Sequence, residues 1–584
     1  MKKETVNLFS EKELANWIKK RYLSLWNKFK ETSFTFKDAQ ELFYSLYQDS
    51  EKQTKLILSE LKRAGYLKIR KNPSDRRESI YQLIDIFTHS ETLTREKLTS
   101  ILKTAADIIR TRVDYTFILL LLFYKAISDR WEKECQIKAD ELKEKGLKED
   151  EAIKEAEEPY YHTFYMKKEL LWENLRKDPL KLPENLSKNL KELAELNPDY
   201  KEVFAQFDFH QFTLNQENST ILNNLFELFS KYSFAEISSD ILGDAYEWIL
   251  KYFAPTKAKE GEVYTPREVI RLMIEILDPE PEKSLYDPAC GSGGMLIVAY
   301  RYVKEKYGEE KGKTLFLYGQ EQNGKTLSLA KMNGILHGTH LNLVGGDTLL
   351  YPKFKTKNNI KKFDYVIANP PWNQKNLYDE DTLKKGDYWR ERFTFGFPTK
   401  QSADWVWIQH MLASTENGKV AVVIDTGAVS RGGREKSIRE KIIEETDWFE
   451  AIILLPEKLF YNTGAPGLII IFNKNKPEER KNKILLINAT KEFVPGKPQN
   501  TLGKENIQKI VEIYREFKEV ENLSRIISKE KVRETDYNLS PSRFINIYEE
   551  EKYRPISEIK NDLKKLEEER KKIEEKVNKI LENF

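Results

Sequence analysis

The spacing of apolar residues changes three times along this 584-residue chain. Over 11–30, 37–47 and 51–64 apolar positions recur at three- and four-residue steps, which predicts three helices. The stretch "YLKIRKNPSDRRESIYQLID" that follows reads as two strands joined by a Pro-Asp turn at 72–77. From 90 to about 250 the pattern is helical almost throughout, and the charged stretch 132–158 reads as a solvated helix or loop. Inside it, "YTFILLLLFY" at 115–124 is ten residues long, half of the roughly twenty that a bilayer demands, and so predicts a buried core helix. From about 260 short apolar strands alternate with helices, the pattern of a parallel α/β sheet; the strands fall at 283–287, 314–319, 341–345, 363–368, 419–425, 449–455 and 467–473. After about 500 helices return. Ile559, Leu563, Leu566, Ile573, Val577 and Ile580 keep a 3,4 spacing, with Arg570 at one seam position, and predict a coiled-coil-like helix that wants a partner in this chain or another.

These changes divide the chain into a unit at 1–88, a helical domain at 90–250, an α/β domain at 255–500 and a C-terminal helical region at 501–584. The order of three helices and a charged hairpin in the first unit resembles a winged helix. Nine basic against three acidic residues at 51–77 leave both DNA contact and protein contact open for it. The whole chain carries 97 Lys and Arg against 94 Asp and Glu, a net charge of +3, so any nucleic-acid contact must come from local patches. Two cysteines, Cys135 and Cys290, argue for a reducing compartment rather than a disulfide framework. The start "MKKE" has no apolar region behind it and reads as no signal peptide; the expectation is a soluble, cytoplasmic protein with no membrane contact. No cluster of His, Cys and Asp has metal-ligand spacing, so no metal is expected.

In an open parallel sheet ligands bind outside the carboxyl ends of the strands. The first strand runs into Asp287-Pro288-Ala289-Cys290-Gly291-Ser292-Gly293-Gly294 and then a helix, where glycines let backbone approach a ligand. The second ends in Gly319-Gln320-Glu321-Gln322-Asn323-Gly324-Lys325-Thr326, which fits the phosphate-binding pattern G-x-x-x-x-G-K-[ST]. "VAVVID", ending at Asp425, completes that rival reading as an NTPase. Against it, Glu321 would point a carboxylate into a cradle meant for phosphates. Glu321 lies 27 residues past Gly294, and the alternative is an acid that accepts from ribose hydroxyls. The third strand ends at Asp347, where a carboxylate can accept from an adenine amine. The fourth ends in Asn369-Pro370-Pro371-Trp372.

In this order the four loops resemble the S-adenosylmethionine-dependent amino-methyltransferases that act on DNA. The closest similarity is to the modification subunit of type I restriction–modification systems. It covers roughly 95–500 and includes "ILGDAYEWIL" at 241–250, "GEVYTPREVIRLMIEIL" at 261–277, "ADWVWIQHML" at 403–412, "GGREKSIREKII" at 432–443 and "LPEKLFYNTGAPGLIIIF" at 455–472. The resemblance implies a Rossmann-like sheet and adenine-N6 methyl transfer from S-adenosylmethionine at defined DNA sites. It implies that Gly261, Glu262, Val263, Tyr264, Thr265 and Pro266 close over the methionine end of the cofactor. Asp287, Gly291, Ser292, Gly293 and Gly294 would line the cofactor, Glu321 would hold its ribose and Asp347 its adenine. The implied partners are double-stranded DNA, a separate specificity subunit gripped by the terminal helices, a second copy of the chain and a restriction subunit. Residues 1–88 are not part of that family pattern.

An exocyclic adenine amine is a poor nucleophile because its lone pair is delocalised into the ring. Acceptors placed on its N–H bonds expose that pair. The Asn369 side-chain oxygen and the Pro370 carbonyl supply two, and consecutive prolines hold them in place. Pro371 completes the rigid turn, and Trp372 is placed to stack on a base flipped out of the duplex. Cytosine-C5 chemistry needs a nucleophilic cysteine, which neither Cys290 in the glycine loop nor Cys135 among helices supplies. Cytosine-N4, RNA and protein glutamine remain alternative acceptors, and a DNA-binding scaffold without activity is disfavoured by four intact loops.

Overall fold

The computed structural model describes residues 16–29, 32–64, 66–71, 79–83, 93–109, 112–178, 181–259, 264–461, 463–497, 499–546 and 556–581. At the N-terminal end helices Asn16–Phe29, Phe36–Tyr47 and Glu51–Arg63 pack on a small antiparallel sheet ordered β1 (Phe34–Thr35), β3 (Ser79–Leu83), β2 (Leu67–Lys71). Thr35 with Asp38 and Ser50 with Gln53 form capping boxes that start the second and third helices. The expected turn at 72–77 lies outside the described residues.

The run at 115–124 opens the helix Thr116–Glu144, and every residue from Thr116 to Asp129 is buried. An apolar segment buried all round belongs at the centre of a bundle, and helices Arg95–Ile109, Leu182–Leu196, Gln216–Ser230 and Ser239–Lys259 surround it. The Lys125 ammonium meets the Asp129 carboxylate at 2.8 Å, and Asp129 also accepts from the Phe234 amide. The charged stretch 132–158 is helix: it completes Thr116–Glu144, and Glu149–Ala156 folds back on it through Ala139, Leu142, Ala152 and Ala156. Ser239–Lys259 is one helix across the interval 250–255 at which the sequence divides.

Among the described residues nine strands form the large sheet, in the order β12-β11-β9-β10-β8-β7-β4-β5-β6. They are β4 (Ser284–Asp287), β5 (Phe316–Glu321), β6 (Leu341–Gly345), β7 (Tyr365–Ala368), β8 (Lys419–Asp425), β9 (Phe449–Leu454), β10 (Gly467–Asn473), β11 (Lys483–Asn488) and β12 (Ser524–Ser528). Two expectations need correction. The sheet is mixed, because β10 lies antiparallel between β8 and β9, and β12 runs antiparallel to β11. The chain also does not go over to helices alone after 500, since β12 adds an edge strand. Residue spacing is the same in parallel and antiparallel strands, so the pattern alone does not give direction. The Rossmann-like core, β6-β5-β4-β7-β8, is parallel.

Helical domain and sheet share one core: Leu329, Met332 and Leu336 of helix Gly324–Leu336 pack among the helical-domain residues, and the Tyr246 hydroxyl donates to the Leu329 carbonyl at 2.9 Å. Gly243 makes this approach possible, since a Cβ there would stand 2.2 Å from the buried His337 ring. Gly243→Ala therefore destabilises the junction by about 1–3 kcal/mol through overpacking, despite alanine's better helix propensity. Thermal unfolding checks this, and an unchanged midpoint would mean that the junction has slack.

Candidate functional site

The chain runs from β4 outward to β5 and β6, then returns to place β7 on the other side of β4. The connections after β4 and β7 leave in opposite directions, which opens a crevice at their carboxyl ends. A cavity of about 250 Å³ occupies it, lined by Tyr264, Pro288, Ala289, Gly291, Ser292, Glu321, Gln322, Asn323, Asp347, Thr348, Asn369 and Pro371. The helical domain closes one side with Tyr115, Leu250 and Ala254.

The glycine loop is held from beneath. Asp287 is buried at the end of β4 and accepts from the Ala289 amide at 3.0 Å; burial, with the Glu321 charge adding to it, pushes its carboxyl up to about 8. Gly291 has φ +53°, and a Cβ there would meet no atom within 4 Å, so backbone borders open space. Its amide donates to Glu321 Oε2 at 3.0 Å, while the Asn323 amide donates to Oε1 at 2.8 Å. Burial holds the Glu321 carboxyl above its usual range despite these donors. Gly293 takes φ +81° to cap helix Gly294–Tyr307. Asn333 Nδ2 donates to the Ser292 carbonyl at 3.0 Å and to Glu247 at 2.7 Å. Glu247 pairs with Arg267, which donates to the Gly294 carbonyl at 2.7 Å. At the third strand end Asp347 accepts from the Leu350 amide and the Tyr378 hydroxyl, both at 3.0 Å.

Asn369 is 7% exposed and bonded at both ends of its amide. Nδ2 donates to Thr265 Oγ1 at 2.8 Å, and Oδ1 accepts from the Trp372 indole at 2.8 Å. The antiparallel β10 brings the β9–β10 connection to this end of the sheet. There Phe460 meets Trp372 edge to face at 4.9 Å, and a Cβ on Gly467 would stand 3.1 Å from the indole. The loop is anchored beyond Trp372: the Asn373 amide donates to Asp404 at 2.9 Å and its side-chain oxygen accepts from Arg431 at 2.9 Å.

The structure thus brings Tyr264, Gly291, Ser292, Glu321, Asp347, Asn369 and Pro371 together on one cavity wall. Asp287, Gly293 and Gly294 stand behind the loop as supports, Thr265 touches Asn369, and Pro266 caps helix Arg267–Leu277. Pro370 is buried beside Asn369, and Trp372 covers its oxygen. Gly261, Glu262 and Val263 lie outside the described residues. Sequence reasoning missed Glu247, Arg267, Asn333 and Phe460, whose partners are distant along the chain.

The phosphate-cradle reading of 319–326 fails on geometry. Gly319 and Glu321 belong to β5 itself; the Asn323 amide is taken by Glu321, and the Thr326 amide by Asn323 Oδ1 at 3.0 Å. Lys325 reaches away to Asp114 at 2.7 Å, and Asp425 is paired with Arg431 at 2.8 Å. Among the described residues the cavity wall carries two carboxylates and neither Lys nor Arg. A nucleoside bearing positive charge fits such a wall, and a polyphosphate does not. No helix among the described residues is long and apolar enough to cross a membrane, and no group of three or more His, Cys, Asp or Glu among them is placed to hold a metal ion.

Residues 237–553 match the N-6 DNA methylase family, and residues 98–229 match the HsdM N-terminal domain. The type I restriction enzyme MjaVII methylase subunit of Methanocaldococcus jannaschii is 43% identical over 577 residues, covering 95% of each chain. The MjaVIII methylase subunit of the same organism is 41% identical, covering 94% of each. Among solved structures, the type I restriction-modification methyltransferase subunit from Streptococcus thermophilus superposes with a TM-score of 0.66 at 27% identity, over 78% of this chain and all of the other. By sequence and by fold, the chain belongs to the N-6 DNA methylase family, among the methylase subunits of type I restriction enzymes.

Proposed function

We propose that this adenine-N6 DNA methyltransferase binds its cofactor between the ends of β4, β5 and β6 and its target amine at the end of β7. S-adenosylmethionine is the cofactor, and when bound it supplies an electrophilic methyl group on a positively charged sulfur. Tyr264, Gly291, Ser292, Glu321 and Asp347 hold it. Glu321 offers its remaining lone pairs to the ribose hydroxyls, and Asp347 accepts from the adenine amine of the cofactor. Two carboxylates also favour the sulfonium charge electrostatically. On the strength of the family resemblance Gly261, Glu262 and Val263 extend this contact at the methionine end; Thr265, which the resemblance also puts there, turns its hydroxyl to Asn369 Nδ2 instead.

At the neighbouring strand end Asn369 Oδ1 and the Pro370 carbonyl accept from the two N–H bonds of the target amine. This draws its lone pair out of the ring and toward the methyl group. In taking the methyl group the amine gains the positive charge that sulfur loses as its bond to that methyl breaks, the electron pair staying on sulfur as a neutral thioether. The same acceptors stabilise the amine until a proton leaves to solvent. Pro370 and Pro371 hold φ, so the backbone that carries both acceptors is preset, and alignment supplies much of the rate. The observation that carries this reading is the cavity beside Asn369, at the point where strand order reverses, whose charged lining among the described residues is Glu321 and Asp347.

The DNA target is chosen with a partner. Leu563, Leu566 and Ile573 on helix Ile556–Leu581 are 56–61% exposed, an apolar stripe on an otherwise charged helix. A stripe of that kind docks on another helix more readily than it reads a groove. The reading is that it grips a specificity subunit, in a complex with two copies of this chain and a restriction subunit. The free thiols Cys135 and Cys290 suit a cytoplasmic setting.

Calorimetry tests the cofactor assignment. Glu321→Ala weakens S-adenosylmethionine binding on the order of 10- to 100-fold, the loss of charge-assisted hydrogen bonds, while ATP does not bind. ATP binding that disappears in Lys325→Ala would overturn the assignment. Asn369→Ala keeps cofactor affinity within about threefold and lowers methylation on the order of 10²- to 10³-fold; equal losses in both would place Asn369 on the cofactor. Removal of 556–584 abolishes co-purification of the specificity subunit without changing cofactor affinity, and retained co-purification would move the docking surface elsewhere.

A further inference from the structure

The orientation of the Asn369 amide decides whether an acceptor or a donor faces the target amine. An indole N–H is a donor only, so the amide atom at 2.8 Å from Trp372 Nε1 is the oxygen. Nδ2 then points the other way, and Thr265 Oγ1 receives it at 2.8 Å. Thr265 is not free to drift. It stands two residues before Arg267, whose guanidinium is tied to Glu247 and to the Gly294 carbonyl, and it precedes the proline that caps helix Arg267–Leu277. The indole ring is seated against Phe460 and over Gly467.

We propose that Thr265 is a positioning residue for methyl transfer: by accepting from Asn369 Nδ2 it keeps Oδ1 facing the target amine. The proposal rests on the reading that Asn369 accepts from that amine. The Trp372 N–H marks the place of the incoming donor. When the base enters, one N–H···O bond replaces another and Asn369 is never left unpaired while buried, which would be costly. Without the Thr265 hydroxyl oxygen, Nδ2 loses its partner and the amide can turn over. An N–H would then face the amine's own N–H bonds, and the lone pair would stay in the ring. The alternative role for Thr265 is direct contact with the cofactor.

Two variants separate the roles. Thr265→Val keeps the shape and removes the acceptor; Thr265→Ser keeps the acceptor. Cofactor Kd is read by calorimetry on the full chain. The values of kcat and of KM for DNA are read in the complex with its specificity subunit, beside wild type and Asn369→Ala. The expected result for Thr265→Val is a kcat lower by about 10- to 100-fold, with cofactor Kd and KM for DNA within about twofold; Thr265→Ser stays within about threefold of wild type in kcat. If Thr265→Val does not fold, Thr265→Ala takes its place with the same readings. A wild-type kcat in Thr265→Val, or a raised cofactor Kd with kcat unchanged at saturating cofactor, overturns the proposal. Should Asn369→Ala itself keep full kcat, the reading of Asn369 fails and this inference with it. Loss in Asn369→Ala but not in Thr265→Val removes the positioning role alone.

Discussion

The site depends on one topological constraint, the return of the chain from β6 to pair β7 with β4. Parallel strands need crossovers, and reversing the direction of progress along the sheet separates two neighbouring connections at their carboxyl ends. The glycine loop after β4 and the Asn-Pro-Pro-Trp loop after β7 are therefore adjacent, although about 80 residues of chain separate them. Every later feature uses that adjacency. The cavity lies between these loops, the carboxylates of Glu321 and Asp347 come from the next two strands outward, and the helical domain covers the open side.

Polar side chains then fix the loops against a protein interior. Glu247 belongs to the helical domain, Arg267 and Asn333 to helices beside the sheet, and together they hold the carbonyls of Ser292 and Gly294. Paired and hydrogen-bonded in this way, buried charge is tolerated, and it ties the position of the helical domain to the shape of the cofactor loop. On the other side Arg431 collects Asp404, Asp425 and Glu435 and reaches Asn373, which pins the loop that begins at Asn369. The acids at the strand ends thus divide by role: Glu321 and Asp347 are open to the cavity, Asp425 is paired with Arg431, and Asp287 is buried beneath the glycine loop on the Ala289 amide.

What the sequence disclosed follows from range. Strands β4 to β10 are apolar runs bounded by turn residues, and strand-end residues such as Glu321, Asp347 and Asn369 can be placed from those runs alone. The order and direction of strands depend on pairing, which spacing does not encode; hence β10 was expected to be parallel. "KILLIN" in β11 follows a Lys- and Glu-rich stretch, and β12 is a short edge strand whose polar ends hide it. The contact of Thr265 with Asn369 spans 104 residues, and the approach of Gly467 to Trp372 requires β10 to run antiparallel. The octet at 319–326 carries the opposite lesson. Its residues fit a phosphate cradle, but Gly319 and Glu321 lie within a strand, the Asn323 and Thr326 amides are already taken, and the lysine is paired with Asp114.

The central claim is that the acceptor at the end of β7 activates an adenine amine. Its most direct test is to methylate duplex DNA with the assembled complex and isotopically labelled cofactor, digest to nucleosides and identify the labelled product by mass spectrometry. The account predicts label in N6-methyladenosine of the deoxy series alone. Label in N4-methylcytosine, or its absence from DNA with transfer to RNA or protein instead, would contradict it.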